Sequence, residues 1–318
     1  MTNQFDALRR HLEHAIVGQH ALVERLLISL LADGHLLVEG LPGLAKTTAV
    51  RALASGLAMR FQRIQFTPDM IPGDITGTDI FVPRDGHFEF VEGPVFSDVI
   101  LADEINRAPP KVQSALLEAM QERQVTVGTT TRALPPVFLV MATQNPIDHE
   151  GTYPLPEAQL DRFLLKVQLG YPTQDEELEI LRRVSRQLAS DTAAAVLPVL
   201  GSDDVLAARH AVNGIYLDAM LERYIVALVA ATRDPSPWDA ELGQWLERGA
   251  SPRATLALAR AGKARAWLHG RDFVEPGDLL ELAHDVLNHR IAPSFTARAE
   301  GINAARIIER LLDIVPVP

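Results

Sequence analysis

The sequence predicts an α/β protein in which a parallel, doubly wound sheet with inserted β-hairpins precedes an all-helical domain. Three observations predict this fold class. Short apolar runs of strand length alternate with helical stretches up to about residue 172, and a glycine-rich loop joins the first strand to the next helix. Beyond residue 172 only helical spacing continues. We therefore expect two domains, residues 1–172 and 173–318.

The elements of the first domain follow from their apolar spacing. Helical patterns fill residues 1–32 with a break at Gly18-Gln19, and the strand His35–Glu39 leads into the loop before the helix Thr47–Ala58. Further strands are expected at Phe61–Phe66, Val95–Ala102, Val137–Thr143 and Leu164–Leu169, with a helix at Pro110–Gln121. Two hairpins are predicted, Ile80–Phe90 around Asp85-Gly86 and Arg123–Leu134 around Gly128-Thr129.

The second domain is predicted from amphipathic helices alone. These cover Asp175–Ala189, Leu217–Thr232, Pro252–Gly270, Pro276–Asn288 and Phe295–Val315. No clear strand pattern occurs after residue 172.

Composition narrows the class of function. The 318 residues carry a formal charge of −11 and no cysteine, so thiolate metal sites and cysteine nucleophiles are excluded and nucleic acid is a disfavoured partner. The longest apolar runs, Leu26–Ala32 and Tyr224–Ala231, are shorter than the ~20 residues of a membrane span. With no signal-peptide pattern at the N-terminus, we expect a cytoplasmic protein without a transmembrane segment.

The loop Gly40-Leu41-Pro42-Gly43-Leu44-Ala45-Lys46-Thr47 nearly matches the phosphate-binding pattern G-x-x-x-x-G-K-[ST]. Such a loop points backbone N–H groups at the β-phosphate, and Lys46 would bridge the β- and γ-phosphates. The Thr47 hydroxyl would bind Mg²⁺, and Ala45 departs from the general pattern, which has glycine there. The expected ATP-binding residues of this segment are Gly40, Pro42, Gly43, Leu44, Ala45, Lys46, Thr47 and Thr48.

A second candidate lies where the apolar run Val99–Ala102 ends in Asp103 and Glu104. Adjacent carboxylates repel unless a cation or a shared task compensates. In a nucleotide hydrolase Asp103 would hold Mg²⁺ and Glu104 would orient the attacking water. Taken alone, the same run is equally typical of a strand that ends in a solvated turn.

Two further polar residues follow apolar segments. Asn145 is placed to hydrogen-bond the γ-phosphate or the attacking water, although an Asn before Pro146 is also typical of a turn. Arg162 could be a structural ion-pair partner, or it could supply positive charge to a phosphate on a neighbouring subunit.

Together these motifs resemble the MoxR family of AAA+ ATPases. The resemblance rests on the loop with Ala before Lys and on four further motifs. These are Ile16-Val17-Gly18-Gln19, Leu101-Ala-Asp-Glu-Ile-Asn-Arg-Ala-Pro-Pro-Lys111, Ala142-Thr-Gln-Asn145 and Leu155-Pro-Glu-Ala-Gln-Leu-Asp-Arg-Phe163.

The resemblance implies a role for each motif, with ATP and Mg²⁺ as ligands. It places Val17, Gly18 and Gln19 near the adenine, makes Lys46 and Thr47 Walker A, Asp103 and Glu104 Walker B, and Asn145 sensor 1. Arg162 would be the arginine finger for a neighbour's site, and Arg253, in Ser251-Pro252-Arg253-Ala254, would be sensor 2 in the same or a neighbouring subunit. The two hairpins would face the pore of a ring, typically a hexamer.

The implied function is ATP-driven, chaperone-like remodelling, activation or metal or cofactor insertion of a partner protein. Partners would be a protein with a von Willebrand factor A domain or a metalloenzyme client. One alternative is a motor subunit resembling that of magnesium chelatase, and a nucleic-acid motor is a weaker one. A nucleotide-dependent scaffold without hydrolysis is disfavoured by the presence of Glu104 and Asn145.

Overall fold

The computed structural model describes residues 2–40, 46–84, 86–145, 151–189 and 200–318. By internal packing the chain forms two units. The first comprises Asn3–Leu155 and Val167–Ala207, and the second comprises Pro156–Lys166 and Ala208–Pro318. The division at residues 172 and 173 stays a prediction.

The strands of the described residues lie in one larger sheet and three two-stranded pairings. They are β1 (Leu36–Gly40), β2 (Phe61–Gln65), β3 (Gly77–Val82), β4 (His87–Glu92), β5 (Val99–Asp103), β6 (Gln124–Val127), β7 (Thr130–Ala133), β8 (Leu139–Gln144), β9 (Leu165–Leu169), β10 (Leu246–Arg248) and β11 (Ala292–Pro293).

The described residues also form fourteen α-helices. They are α1 (Thr2–Ala15), α2 (His20–Leu31), α3 (Lys46–Gly56), α4 (Gly73–Thr76), α5 (Pro110–Glu122), α6 (Glu157–Leu160), α7 (Gln174–Ala189), α8 (Ser202–Asn213), α9 (Ala219–Ala231), α10 (Leu242–Trp245), α11 (Pro252–Leu268), α12 (Pro276–Leu287), α13 (Phe295–Ala299) and α14 (Ala304–Ile314). Two 3-10 turns cover Pro94–Phe96 and Ile105–Arg107.

The larger sheet has the order β2-β5-β8-β1-β9. The pairs β2–β5, β5–β8 and β1–β8 are parallel, and β1, the first strand of the chain, lies inside the sheet between β8 and β9. The apolar residues of β1, β5 and β8 are fully buried, as expected for parallel strands covered on both faces. The predicted fold class is therefore confirmed.

Both predicted hairpins are present, as β3–β4 and β6–β7; of the first predicted turn, Asp85 lies outside the described residues. At the base of the hairpin β3–β4, two backbone segments lie in direct contact. A Cβ at Gly93 would lie 2.2 Å from the Ile75 carbonyl oxygen, and one at Gly77, where φ is +85°, would lie 2.3 Å from that of Val91. The hairpins meet where the Arg132 guanidinium lies 3.7 Å from the centre of the Phe90 ring.

In the second unit, small residues let α11 and α12 approach closely. Ala254, Ala257 and Ala261 of α11 are buried, and a Cβ at Gly262 would lie 2.9 Å from Leu279 Cδ2 on α12. Side chains of Ser251 and Asn303 accept hydrogen bonds at the N-termini of α11 and α14. These caps satisfy backbone N–H groups that have no partner within the helix.

The structure differs from the predicted elements at several points. Val95 and Phe96 belong to a 3-10 turn that follows Gly93, so the strand begins only at Val99. The predicted helix over Phe295–Val315 is two helices, because the chain takes a positive φ at Gly301. The helices α4, α6, α8 and α10 and the short antiparallel pairing of β10 with β11 were not predicted. Among the described residues no helix is long and apolar enough to cross a membrane.

Candidate functional site

The carboxyl ends of three neighbouring parallel strands form the candidate site. β8 lies between β1 and β5, with Glu39 opposite Gln144 in one register and Ala102 opposite Ala142 in the other. The predicted residues therefore lie where these strands end, at one edge of the sheet. Gly40 and Asp103 are the last residues of β1 and β5, Glu104 follows Asp103, and Asn145 is the first residue after β8. Ligands of open parallel sheets bind at this edge. Pro42, Gly43, Leu44 and Ala45 lie outside the described residues.

Lys46 begins α3, and its Nζ donates a hydrogen bond to the Gly40 carbonyl oxygen at 2.7 Å. Burial lowers the pKa of Lys46, while the charges of Asp103 and Glu104 raise it in opposition. The ammonium group is thus electrostatically coupled to both carboxylates. Thr47 and Thr48 follow in the first turn of α3, where the helix dipole favours anions.

The Asp103 carboxylate is held from both neighbouring strands. Its Oδ2 accepts hydrogen bonds from Arg63 on β2, from Nη2 at 2.6 Å and from Nε at 3.2 Å. Its Oδ1 accepts one from the Thr143 hydroxyl on β8 at 2.6 Å. These contacts fix the orientation of the Asp103 carboxylate, whose side chain is only 13% exposed.

Glu104 adopts a left-handed backbone conformation, with φ 57° and ψ 49°. This conformation is uncommon for residues other than glycine. Its N–H donates to the Thr143 hydroxyl oxygen at 2.9 Å, and its Oε2 accepts from Gln65 Nε2 at 2.9 Å. Arg107 Nε lies 3.3 Å from the same Oε2. The turn after β5 therefore directs Glu104 away from the strand path, and neighbouring side chains hold it there.

Arg63, Gln65 and Thr143 were missed by the sequence analysis. Arg63 and Gln65 project from the same side of β2 because they are two residues apart in a strand. Alternation around the buried Ile64 could have placed them on one face. Their contact with the carboxylates depends on the parallel pairing of β2 with β5, across about 40 residues of sequence.

The segment Val17-Gly18-Gln19 connects α1 to α2. Gly18 has φ +74°, and a Cβ on it would lie 2.5 Å from the Glu176 carboxyl carbon. Hydrogen bonds from Thr173 lower the pKa of Glu176. The positive backbone angle therefore favours glycine at position 18, and a side chain there would also displace the Glu176 carboxylate.

Arg162 and Arg253 belong to the second unit. Arg162 follows α6, and Arg253 is the second residue of α11. Asp161, the residue before Arg162, contacts the start of α11. Its Oδ2 accepts a hydrogen bond from Ser251 Oγ at 2.7 Å and lies 3.8 Å from Arg253 Nη1. The structure thus brings Arg253 to the residue that precedes Arg162.

The donor set fits a magnesium-bound nucleotide. Asp103 and Thr47 offer oxygen ligands, which Mg²⁺ prefers, and Mg²⁺ usually combines one or two protein ligands with substrate phosphates. Consistently, the described residues contain no group of three or more His, Cys, Asp or Glu side chains that could hold a metal by themselves. Lys46 supplies the positive charge that bound phosphates require.

Comparisons with known proteins agree with this geometry. Residues 35–165 match the ATPase family associated with various cellular activities, and residues 244–311 match the AAA lid domain. "Chaperone MoxR1" of Mycobacterium tuberculosis is 47% identical over 304 residues, which cover 95% of this chain and 79% of that protein. The uncharacterized protein YeaC of Bacillus subtilis is 44% identical, with 97% and 93% covered.

A solved structure supports the same conclusion. The crystal structure of a protein from Cytophaga hutchinsonii, described as a candidate ATPase, superposes with a TM-score of 0.93 at 47% identity. The match covers 100% of this chain and 96% of that one. On its fold, its motifs and these relatives, the chain belongs to the MoxR family of AAA+ ATPases.

Proposed function

We propose that this chain hydrolyses ATP with Mg²⁺ and uses the energy to remodel or activate a partner protein. The observation that carries the proposal is that Lys46, hydrogen-bonded to Gly40 at the end of β1, and the carboxylates of Asp103 and Glu104 lie at the edge formed by β1, β8 and β5. A cation and two differently held carboxylates match the needs of phosphoryl transfer to water.

Each residue has a separate task in this proposal. Lys46 binds the β- and γ-phosphates, and Val17, Gly18 and Gln19 lie near the adenine. Glu104 orients and polarises the attacking water, and its carboxylate is held for this by Gln65 and Arg107. Asn145 hydrogen-bonds the γ-phosphate or that water.

Asp103 and Thr47 would hold Mg²⁺, which neutralises charge on the phosphate oxygens when it is bound. Arg162 adds positive charge to the γ-phosphate of a neighbouring subunit, and Arg253 contacts the γ-phosphate as sensor 2, in its own or a neighbouring subunit. In this scheme the chain acts as a ring, with a hexamer as the expected form.

For the biological role we propose a chaperone-like activity on a partner. Metal or cofactor insertion into a metalloenzyme, together with a von Willebrand factor A-domain protein, is the expected setting, in the cytoplasm. A motor subunit resembling that of magnesium chelatase is the second candidate. Stimulation of ATP hydrolysis by a porphyrin-binding partner would favour that candidate.

A nucleic-acid motor is less well supported by the hairpins. Arg123 donates to the Phe138 carbonyl oxygen and to Asp33 Oδ1, both at 2.6 Å, and Arg132 lies over the Phe90 ring. These cations are therefore engaged within the protein. With a net charge of −11, little positive charge remains to neutralise phosphates.

Two substitutions test the proposed hydrolysis. Glu104→Gln should bind ATP but lose hydrolysis by a factor of about 100 or more, because the amide cannot accept the water proton. Arg162→Ala should keep ATP binding and lose about 1,000-fold in kcat. Phosphate release and binding of a fluorescent ATP analogue measure the two properties. The exposed residue Arg306, paired with Glu309 on α14, supplies the control Arg306→Ala. Wild-type rates of hydrolysis by both Glu104→Gln and Arg162→Ala would refute the proposed site, and a wild type that does not hydrolyse ATP would refute the proposed function.

A further inference from the structure

A buried guanidinium group lies just beyond the C-terminal end of α12. The Arg290 side chain is only 2% exposed. Burial lowers its pKa and Asp161 opposes this effect, but an arginine remains charged in proteins. A buried charge is stable only when it is well paired and hydrogen-bonded, so its partners indicate what it holds in place.

The Arg290 partners lie mainly around Arg162. Nε donates to Asp161 Oδ1 at 2.8 Å, Nη1 to the Leu164 carbonyl oxygen at 3.2 Å, and Nη2 to the carbonyl oxygens of Phe163 and Asp161. A second Nη1 bond goes to the Val286 carbonyl oxygen, within the helix. The five hydrogen bonds equal the number of N–H donors of an arginine.

The two residues before Arg290 hold the same segment. His289 Nε2 lies 3.2 Å from the Phe163 carbonyl oxygen, and Asn288 Nδ2 donates to the Lys166 carbonyl oxygen at 3.0 Å. Three consecutive residues thus bind the backbone from Asp161 to Lys166. We refer to Asn288, His289 and Arg290 as the clasp.

Asp161 connects the clasp to Arg253. One carboxylate oxygen accepts from Arg290, and the other accepts from Ser251 Oγ, which caps α11 by accepting from the Arg253 N–H at 3.1 Å. The guanidinium of Arg253 lies 3.8 Å from the same oxygen as Ser251. The orientation of the first turn of α11 therefore depends on the same carboxylate that Arg290 holds.

We propose that Arg290 is a positioning residue, which fixes the backbone on both sides of Arg162 and, through Asp161, the start of α11 with Arg253. This inference rests on the proposed role of Arg162 in hydrolysis. Arginine is required because its planar fork reaches several acceptors at once, whereas a lysine ammonium is a single point charge. An arginine finger that is displaced by about 1 Å stabilises the transition state of hydrolysis much less.

The test compares Arg290→Lys with a matched variant of a second ion cluster in the same unit. Arg271 forms a bidentate pair with the buried Asp278, at 2.6 and 2.7 Å, and its other partners are Glu275 and Phe273. Arg271→Lys therefore disturbs the second unit at a cluster that contains none of the Arg290 partners named above. Thermal unfolding, ATP affinity, KM and kcat are measured for both variants and for Arg162→Ala.

We expect Arg290→Lys to lower kcat about 100-fold with ATP affinity changed less than about twofold. Arg271→Lys should lower the unfolding temperature similarly and keep kcat. Mixing Arg290→Lys with Glu104→Gln subunits should restore part of the hydrolysis, since the second variant supplies an undisturbed Arg162 to the sites of the first, which keep Glu104.

The outcomes separate this inference from the proposed function. Loss of kcat in both lysine variants in proportion to their lost stability would show that Arg290 is merely structural and would overturn the inference. Co-assembly with no rise in hydrolysis above that of the two separate variants would overturn it as well. If Arg162→Ala hydrolyses ATP like the wild type, the proposed role of Arg162 fails instead, and if the wild type does not hydrolyse ATP, the proposed function itself fails.

Discussion

At the scale of single residues, the hydroxyl of Thr143 orders both acidic residues of the site. It donates to Asp103 Oδ1 at 2.6 Å and accepts from the Glu104 N–H at 2.9 Å, and Thr143 is fully buried. One group therefore sets the direction of a carboxylate and supports the left-handed backbone of the next residue. Residues held outside common backbone regions persist only when their surroundings over-determine them.

We predict that Thr143→Val lowers the free energy of unfolding by about 1–3 kcal/mol, because it leaves a buried N–H and a carboxylate oxygen without this partner. It should also lower kcat by at least about tenfold with little change in ATP affinity. Urea unfolding and steady-state kinetics measure the two effects. Thr143→Ser keeps the hydroxyl and serves as the control. Equal kcat in the valine and serine variants would contradict the assigned role.

At the scale of elements, the clasp contains a buried histidine, His289. Burial, and the neighbouring charge of Arg290, bring the pKa of His289 well below its usual value. In the unfolded chain this histidine has a pKa of about 6.5. Below that pH the unfolded state binds more protons than the folded state, so protonation favours unfolding.

We therefore predict that the free energy of unfolding falls as the pH is lowered from 7 to 5. His289 contributes at most about 1.4 kcal/mol per pH unit to this fall. His289→Gln keeps an N–H donor but does not titrate, so its unfolding free energy should depend less on pH over the same range. Urea unfolding at several pH values gives the difference between the two proteins. An identical dependence of the unfolding free energy on pH in the two proteins would show that folding does not change the pKa of His289.

At the scale of the whole molecule, the predictable features are local in sequence. The strand before Asp103 and the helix from Pro110 follow from apolar spacing, and the structure confirms them. The contacts of Arg63 with Asp103 and of Arg290 with Asp161 could not be predicted, since they join residues separated by 40 and 129 positions. The pairing of β10 with β11 was missed because such short strands carry no pattern of their own.

Assembly provides a prediction for the whole molecule. If Arg162 acts on a neighbour's nucleotide, the subunits hydrolyse ATP only when they are associated. We expect kcat per subunit to rise with protein concentration and then to level off. Arg162→Ala should show no such rise while it associates like the wild type in sedimentation experiments. A constant kcat across the range in which the protein dissociates would contradict action between subunits.

The glycine base of the hairpin β3–β4 has a consequence for divergence within the family. Its position is fixed by backbone contacts at Gly77 and Gly93, while Phe81 and Phe88 towards its tip are 50% and 69% exposed. Exposed side chains contribute little to stability, so substitutions there are usually tolerated. The tip can therefore change in sequence while the base is kept. New recognition properties can in this way evolve without a loss of the fold.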